Sequence, residues 1–180
     1  MRVIGGEFRS RAIKSLPGLD VRPTPDRLRE ALFNILAPRI ESAVFADLYA
    51  GTGAVGIEAL SRGAARAVFV EQKHAAVKAI RENLRSLGLE GRADVRQARA
   101  TAMIPRLEAG IVFIDPPYAL ENEYAAALSL LGEKPPPLVI AQHTPRLKLV
   151  DRYGDLRRTR LVKHGDNALS FYEPGAVPKD

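Results

Sequence analysis

The chain has 180 residues, 46% hydrophobic and 27% charged, which is the make-up of one folded domain and excludes a disordered or fibrous chain. No apolar run reaches the ~18 residues of a membrane span, no secretory leader pattern opens the sequence, and the absence of Cys removes disulfides, thiol nucleophiles and Cys-type zinc sites. The net charge of +6 is unevenly spread, with +4 in residues 1–40 and +5 in residues 146–163 around a near-neutral centre, a pattern that suggests nucleic acid as partner.

Arg2-Val3-Ile4, a Gly5-Gly6 turn and residues 8–14 read as a short hairpin, too charged in its alternation to be core. Pro17-Gly18 ends it and residues 20–25 form a loop. Thr24 or Asp26 is expected to cap a helix over about residues 27–36, with Pro38 just beyond its end. From Ala43 strands and helices alternate. Strands are expected over 44–48, 67–70, 93–97, 111–114 and 138–141, and helices over 54–62, 73–87, 101–107 and 123–131. Gly88 closes the second of these helices. Continuous apolar strands between helices predict a parallel sheet covered on both faces. Residues 157–163 and 168–172 predict an antiparallel hairpin at one edge of that sheet.

Two motifs follow strands of this sheet, where ligands of doubly wound folds sit. Gly51, Gly53 and Gly56 form a GxGxxG entering a helix, and Glu71 ends the next strand. Glycines permit a tight turn and close approach of a ligand, and the acid is placed to hold ribose hydroxyls, so a nucleoside cofactor is expected. A dinucleotide and S-adenosylmethionine both fit that pattern. Asp47, four residues before Gly51 at the strand end, resembles motif I of the class I methyltransferases, where the acid orders the methionine end of the cofactor. Its alternative role is to cap the turn.

The fourth strand runs into Asp115-Pro116-Pro117-Tyr118. Two prolines stiffen the backbone and remove two N–H donors, leaving carbonyls beside a carboxylate and an aromatic ring. Asp115 and the Pro116 carbonyl can each accept one hydrogen of an exocyclic amine, while Tyr118 stacks on the base. Accepting both hydrogens turns the nitrogen lone pair out of conjugation and aims it at a sulfonium methyl. In-line displacement then depends mainly on positioning. The motif resembles the Asp/Asn-Pro-Pro-aromatic sequence of amino-methyltransferases acting on DNA, RNA and glutamine.

The whole chain resembles the RsmD-type 16S rRNA guanine-N2 methyltransferases of bacteria. The likeness runs from Arg2-Val3-Ile4-Gly5-Gly6 through Arg22-Pro23-Thr24, residues 26–34, 47–56, 58–64 and 115–118 to Ser170-Phe171-Tyr172. It implies a class I methyltransferase fold, an α/β Rossmann-like, doubly wound and mostly parallel seven-stranded sheet with an antiparallel edge hairpin, preceded by an N-terminal β-hairpin and helix. It implies S-adenosyl-L-methionine as cofactor and N2-methylation of guanine-966, in the small ribosomal subunit or its assembly intermediate. By the same resemblance Gly51, Gly53 and Glu71, with Asp47, Tyr49, Ala100 and Asp115, hold the cofactor, and Asp115, Pro116, Pro117 and Tyr118 hold the guanine.

One departure stands out: Arg99 occupies the place after the third strand where the pattern usually has an acid or amide near the adenine amine. Arg cannot accept that hydrogen bond, so adenine recognition is expected to pass to backbone, including the N–H of Ala100. Residues 1–40 are expected to form an RNA-binding appendage, through Arg2, Arg9, Arg11, Lys14, Arg22, Thr24 and Arg27, and residues 41–180 the catalytic domain. His74, His143 and His164 lack metal spacing, and no metal is expected. A cytoplasmic monomer is expected. The alternatives are an amino-methyltransferase of DNA adenine or cytosine or of tRNA guanine, a non-catalytic ribosome assembly factor, and a nicotinamide enzyme.

Overall fold

The computed structural model describes residues 1–18, 24–117 and 119–175. In chain order the elements are α1 (Asp26–Ile40), β1 (Val44–Asp47), α2 (Ala54–Ser61), β2 (Arg66–Glu71), α3 (His74–Leu87), β3 (Ala93–Gln97), α4 (Ala100–Met103), β4 (Ile111–Ile114), α5 (Asn122–Glu133), β5 (Leu138–His143), β6 (Arg152–Tyr153), β7 (Leu156–His164) and β8 (Asn167–Pro174). They build one sheet of order β3-β2-β1-β4-β5-β8-β7-β6. Strands β1 to β5 pair in parallel, and β8 returns antiparallel beside β5. The expected seven strands are thus joined by β6, an eighth of two residues at the far edge.

The strands are apolar on both faces because both faces are covered. Phe45, Phe69, Phe113 and Ile140 point to the side carrying α1, α2 and α3, where Phe33, Leu36, Ile57, Leu60 and Ile80 complete one core. Ala46, Val68, Val112 and Val139 point to the other side, against Ile104, Tyr124, Leu128 and Leu131.

Three local expectations are corrected. Helix α1 runs on to Ile40 with Pro38 inside it. Residue 34, whose carbonyl loses its N–H partner to that proline, is exposed, while Leu36 and Ile40 keep the last turn packed. Neither Thr24 nor Asp26 caps α1; the N-cap is Pro25, without a side-chain bond, and Asp26 instead pairs with Arg29 at 3.2 Å. The helix expected over 101–107 is one α-helical turn followed by a 3-10 turn at Ile104–Arg106, since Pro105 cannot continue the ladder.

The N-terminal hairpin departs most from expectation. Its strands meet in a single bridge, Arg2 to Ala12, flanked by Val3 N–H to Arg11 at 2.9 Å and Ile13 N–H to Met1 at 2.7 Å. The turn passes through residues 6–9, where Arg9 N–H reaches the Gly6 carbonyl at 3.2 Å, rather than through Gly5-Gly6 alone. Val3 and Ile13 are each 2% exposed and belong to the same core as α1–α3, so the hairpin is core after all.

Side chains of α2 and α3 hold the hairpin's backbone. Ile4 N–H and Gly5 N–H donate to the two Glu58 oxygens at 2.9 Å each, Phe8 N–H donates to Ser61 Oγ at 2.9 Å, and Lys14 N–H to Asn83 Oδ1 at 2.8 Å. A Cβ on Gly6, at φ +77°, would lie 2.0 Å from the Ser61 carbonyl oxygen. Fully buried Arg29 reaches the Arg2 carbonyl at 2.6 Å and lies 4.0 Å from Glu58. Residue 40 is therefore not a packing boundary: 1–40 and 41–180 share a core.

Candidate active site

The carboxyl ends of β1, β2, β4 and β5 open into a cavity of about 370 Å³. It sits where the strand order turns from β1 to β4, the switch point of a doubly wound sheet. Asp47, Tyr49, Gly51, Glu71, Ala100, Asp115, Pro116 and Pro117 all line it, and the α1 end contributes Thr24 and Pro25. Tyr118 and Arg22 lie outside the described residues.

The β1–α2 turn is set by its glycines. Gly51 and Gly53 hold left-handed φ of 56° and 84°, and Gly53 N–H closes the turn on the Ala50 carbonyl at 2.8 Å. Gly51 lines the cavity, and its N–H donates to Glu71 Oε2 at 2.9 Å. Glu71 Oε1 accepts from Lys73 N–H at 3.0 Å, so each oxygen keeps a lone pair for a further donor such as a ribose hydroxyl. Gly53 is not among the residues lining the cavity, though Thr52 and Ala54 on either side of it are, and a Cβ there would meet Ile80 and Phe69 at 3.3 Å, on the core side.

Asp47 caps the turn and also faces the cavity. Its Oδ2 accepts from Gly56 N–H at 3.1 Å, fixing the first turn of α2, and it also lines the cavity. Burial, helped by the charge of Glu71 and opposed by the Gly56 bond, pushes its pKa up to about 7. Burial and the neighbouring Asp47 push Asp115 up to about 8. With Glu71 and Glu123, four carboxyl groups thus line one cavity, an arrangement whose ionisation a cationic ligand favours.

Beyond β4, the Pro117 carbonyl is taken by Leu120 N–H at 2.9 Å, while among the described residues none takes the carbonyl of Pro116. Asp115 and Pro116 therefore present two acceptors side by side. Tyr49 donates its hydroxyl to Glu123 Oε2 at 2.9 Å, and Arg99 lies 3.7 Å from Glu123 Oε1. Burial and that carboxylate raise the Tyr49 pKa. Glu123 and Gln142 also line the cavity, and the sequence reading passed over both. Glu123 sits on an ordinary polar helix face, and Gln142 ends an apolar strand, so neither forms a local motif.

The expected RNA-binding cations are exposed but partly engaged. Arg2 bonds the Ser10 carbonyl at 2.5 Å, Arg11 the Ser86 carbonyl at 3.1 Å, and Lys14 pairs with Glu82 at 2.9 Å. Arg9 and Arg27 are exposed, and Thr24 is buried at the cavity wall. On the far edge Arg157, Arg160 and Lys163 are exposed along β7. Among the described residues no helix is long and apolar enough to cross a membrane.

Comparison with known proteins adds names to this geometry. The family described as Conserved hypothetical protein 95 matches residues 1–173. The Bacillus subtilis protein named "Putative rRNA methyltransferase YlbH" is 34% identical over 182 residues, covering 96% of this chain and 98% of that one. "Ribosomal RNA small subunit methyltransferase D" of Escherichia coli is 42% identical over 120 residues, covering 66% of this chain and 60% of that one. The solved structure described as "Putative methyltransferase yhhF from Escherichia coli" superposes with a TM-score of 0.85 at 31% identity, covering 98% of this chain and 99% of that one. An RNA methyltransferase from Salinibacter ruber, solved with S-adenosyl-L-homocysteine, has a TM-score of 0.69 at 22% identity and covers 88% and 98%, a likeness of fold.

Proposed function

The chain belongs to the Conserved hypothetical protein 95 family, that of the RsmD-type methyltransferases, and from that premise we propose that it methylates the exocyclic N2 of a guanine in 16S rRNA, at guanine-966. One observation carries the reading: the glycine turn bonded to Glu71 and the paired acceptors of Asp115-Pro116 face a single cavity. S-adenosyl-L-methionine, when bound, supplies an electrophilic methyl on a sulfonium. Glu71 and the Gly51 turn would hold its nucleoside end, with Ala100 for the adenine, and Asp47 and Tyr49 would serve its methionine end.

Asp115 and the Pro116 carbonyl accept the two amine hydrogens, and Pro117 stiffens that corner. The amine proton becomes acidic only as the new C–N bond forms. Asp115, pushed up to about 8, is then a competent acceptor for it. Tyr118 completes the base site in this reading. Arg2, Arg9, Arg11, Lys14, Arg22, Thr24 and Arg27 make the 1–40 segment the RNA-facing side. The partner is the small subunit or its assembly intermediate, and the enzyme works as a cytoplasmic monomer.

The test is direct. Small subunits from a strain lacking this protein are incubated with the purified enzyme and S-adenosylmethionine, and the rRNA is digested and mapped by mass spectrometry. N2-methylguanine at position 966 is the expected product. Methylation of another base, or none, overturns the reading.

A further inference from the structure

Gln142 is 3% exposed and lines the cavity, yet its side-chain oxygen Oε1 is buried with no hydrogen-bond partner. Its backbone carbonyl is already used, accepting the Tyr124 hydroxyl at 2.7 Å. The paired Phe113 and Ile140 fix the register of β4 and β5. Asp115, the first residue after β4, and Gln142 each lie two residues further on, and both line the cavity. An orphan acceptor in a buried site costs stability unless something donates to it.

We propose that Gln142 reads the ring N1–H of the target base and makes the enzyme selective for guanine; this rests on the assignment of Asp115 and Pro116 to the amine. With an exocyclic amine held there, a ring nitrogen adjoins it along the base edge. Guanine's amine is flanked by N1–H, a donor, and N3, an acceptor, and the proposal seats N1–H against Gln142. On adenine and cytosine the ring nitrogen beside the amine is an acceptor. A carbonyl oxygen in that place is satisfied by guanine and faces a lone pair on the others. The amide's own N–H2 group matches guanine O6, which follows N1 on the same edge.

The experiment uses small subunits reconstituted with rRNA carrying either guanine or 2-aminopurine at the methylated position. 2-Aminopurine keeps the N2 amine but has an acceptor at N1. Wild type is expected to favour guanine in kcat/KM by about tenfold, since the amide can turn its nitrogen towards the acceptor. Gln142→Leu abolishes it, with the two substrates within about twofold and the guanine rate down by roughly tenfold or more. S-adenosylhomocysteine affinity is unchanged in this variant, which shows the site folded. A wild-type preference in Gln142→Leu overturns the proposal. Failure of wild type to make N2-methylguanine in the guanine particle overturns instead the functional reading on which it rests.

Discussion

Glu58→Ala tests the claim that the N-terminal hairpin is structural. Glu58 is fully buried and accepts from Ile4 N–H, Gly5 N–H and Arg62 Nε, all at 2.9 Å, with buried Arg29 4.0 Å away. Removing it orphans two backbone donors and leaves the buried Arg29 guanidinium with only exposed Asp26, at 3.2 Å, to answer its charge. Breaking one side of a buried ion pair costs about 3–5 kcal/mol. The lost hydrogen bonds overlap with that figure rather than adding to it, so about 4 kcal/mol is expected. At ~2–4 °C per kcal/mol for a domain of this size, Tm should fall by roughly 8–16 °C. Glu58→Gln keeps one acceptor and should cost about half as much. Deleting residues 1–14 removes the same contacts together with buried Val3 and Ile13, and should destabilise at least as strongly. Thermal and urea unfolding of the three variants decide it. A Tm within about 2 °C of wild type for Glu58→Ala, or an undamaged truncation, refutes the reasoning.

Asp115→Ala should slow single-turnover methyl transfer by at least about a hundredfold, with S-adenosylhomocysteine binding little changed by calorimetry; a near-wild-type rate refutes its role. Glu71→Ala should weaken S-adenosylhomocysteine by about 1–3 kcal/mol, and unchanged affinity would sink the ribose assignment. Gly53→Val is instead a folding lesion, because φ is +84° and Ile80 and Phe69 stand 3.3 Å from the added Cβ; it should lower Tm more than it alters the affinity of whatever remains folded. Asp47 and Asp115, pushed up to about 7 and about 8, bind more protons folded than unfolded between about pH 4 and pH 8. Their contribution to stability is therefore present at low pH and lost as pH rises through those values. Asp47→Asn should flatten that decline. Cationic S-adenosylmethionine binds the ionised carboxylates better, so its affinity relative to S-adenosylhomocysteine should rise from pH 6 to pH 9, and a flat ratio counts against both assignments.

Much of the sheet was legible because its signals are local. β4 begins and ends where its apolar run does, β3 spans 93–97 as expected, and Gly88 closes α3 at φ +68° because only a residue without Cβ turns there easily. The motifs at the ends of β1, β2 and β4 needed only strand ends and register to meet in one cavity. What escaped depends on partners distant in sequence. Ile4 and Glu58 are 54 residues apart, and Tyr49 and Glu123 are 74 apart. The hairpin read as surface because its charged side chains are exposed, while its anchoring is done by backbone N–H groups, which every sequence carries alike. The GxGxxG pattern also does not say which glycine's missing side chain makes room on the core side, as that of Gly53 does against Ile80 and Phe69.

The hairpin's anchoring also sets a timetable. Its residues are synthesised before the groups that satisfy them, with Asn83 following Lys14 by 69 residues. At synthesis rates of about 5–20 residues per second, that wait lasts roughly 3–14 s. Until Glu58, Ser61 and Asn83 are in place, the amides of residues 4, 5, 8 and 14 have only water. A segment made early is thus fixed late, once α2 and α3 are there to hold it.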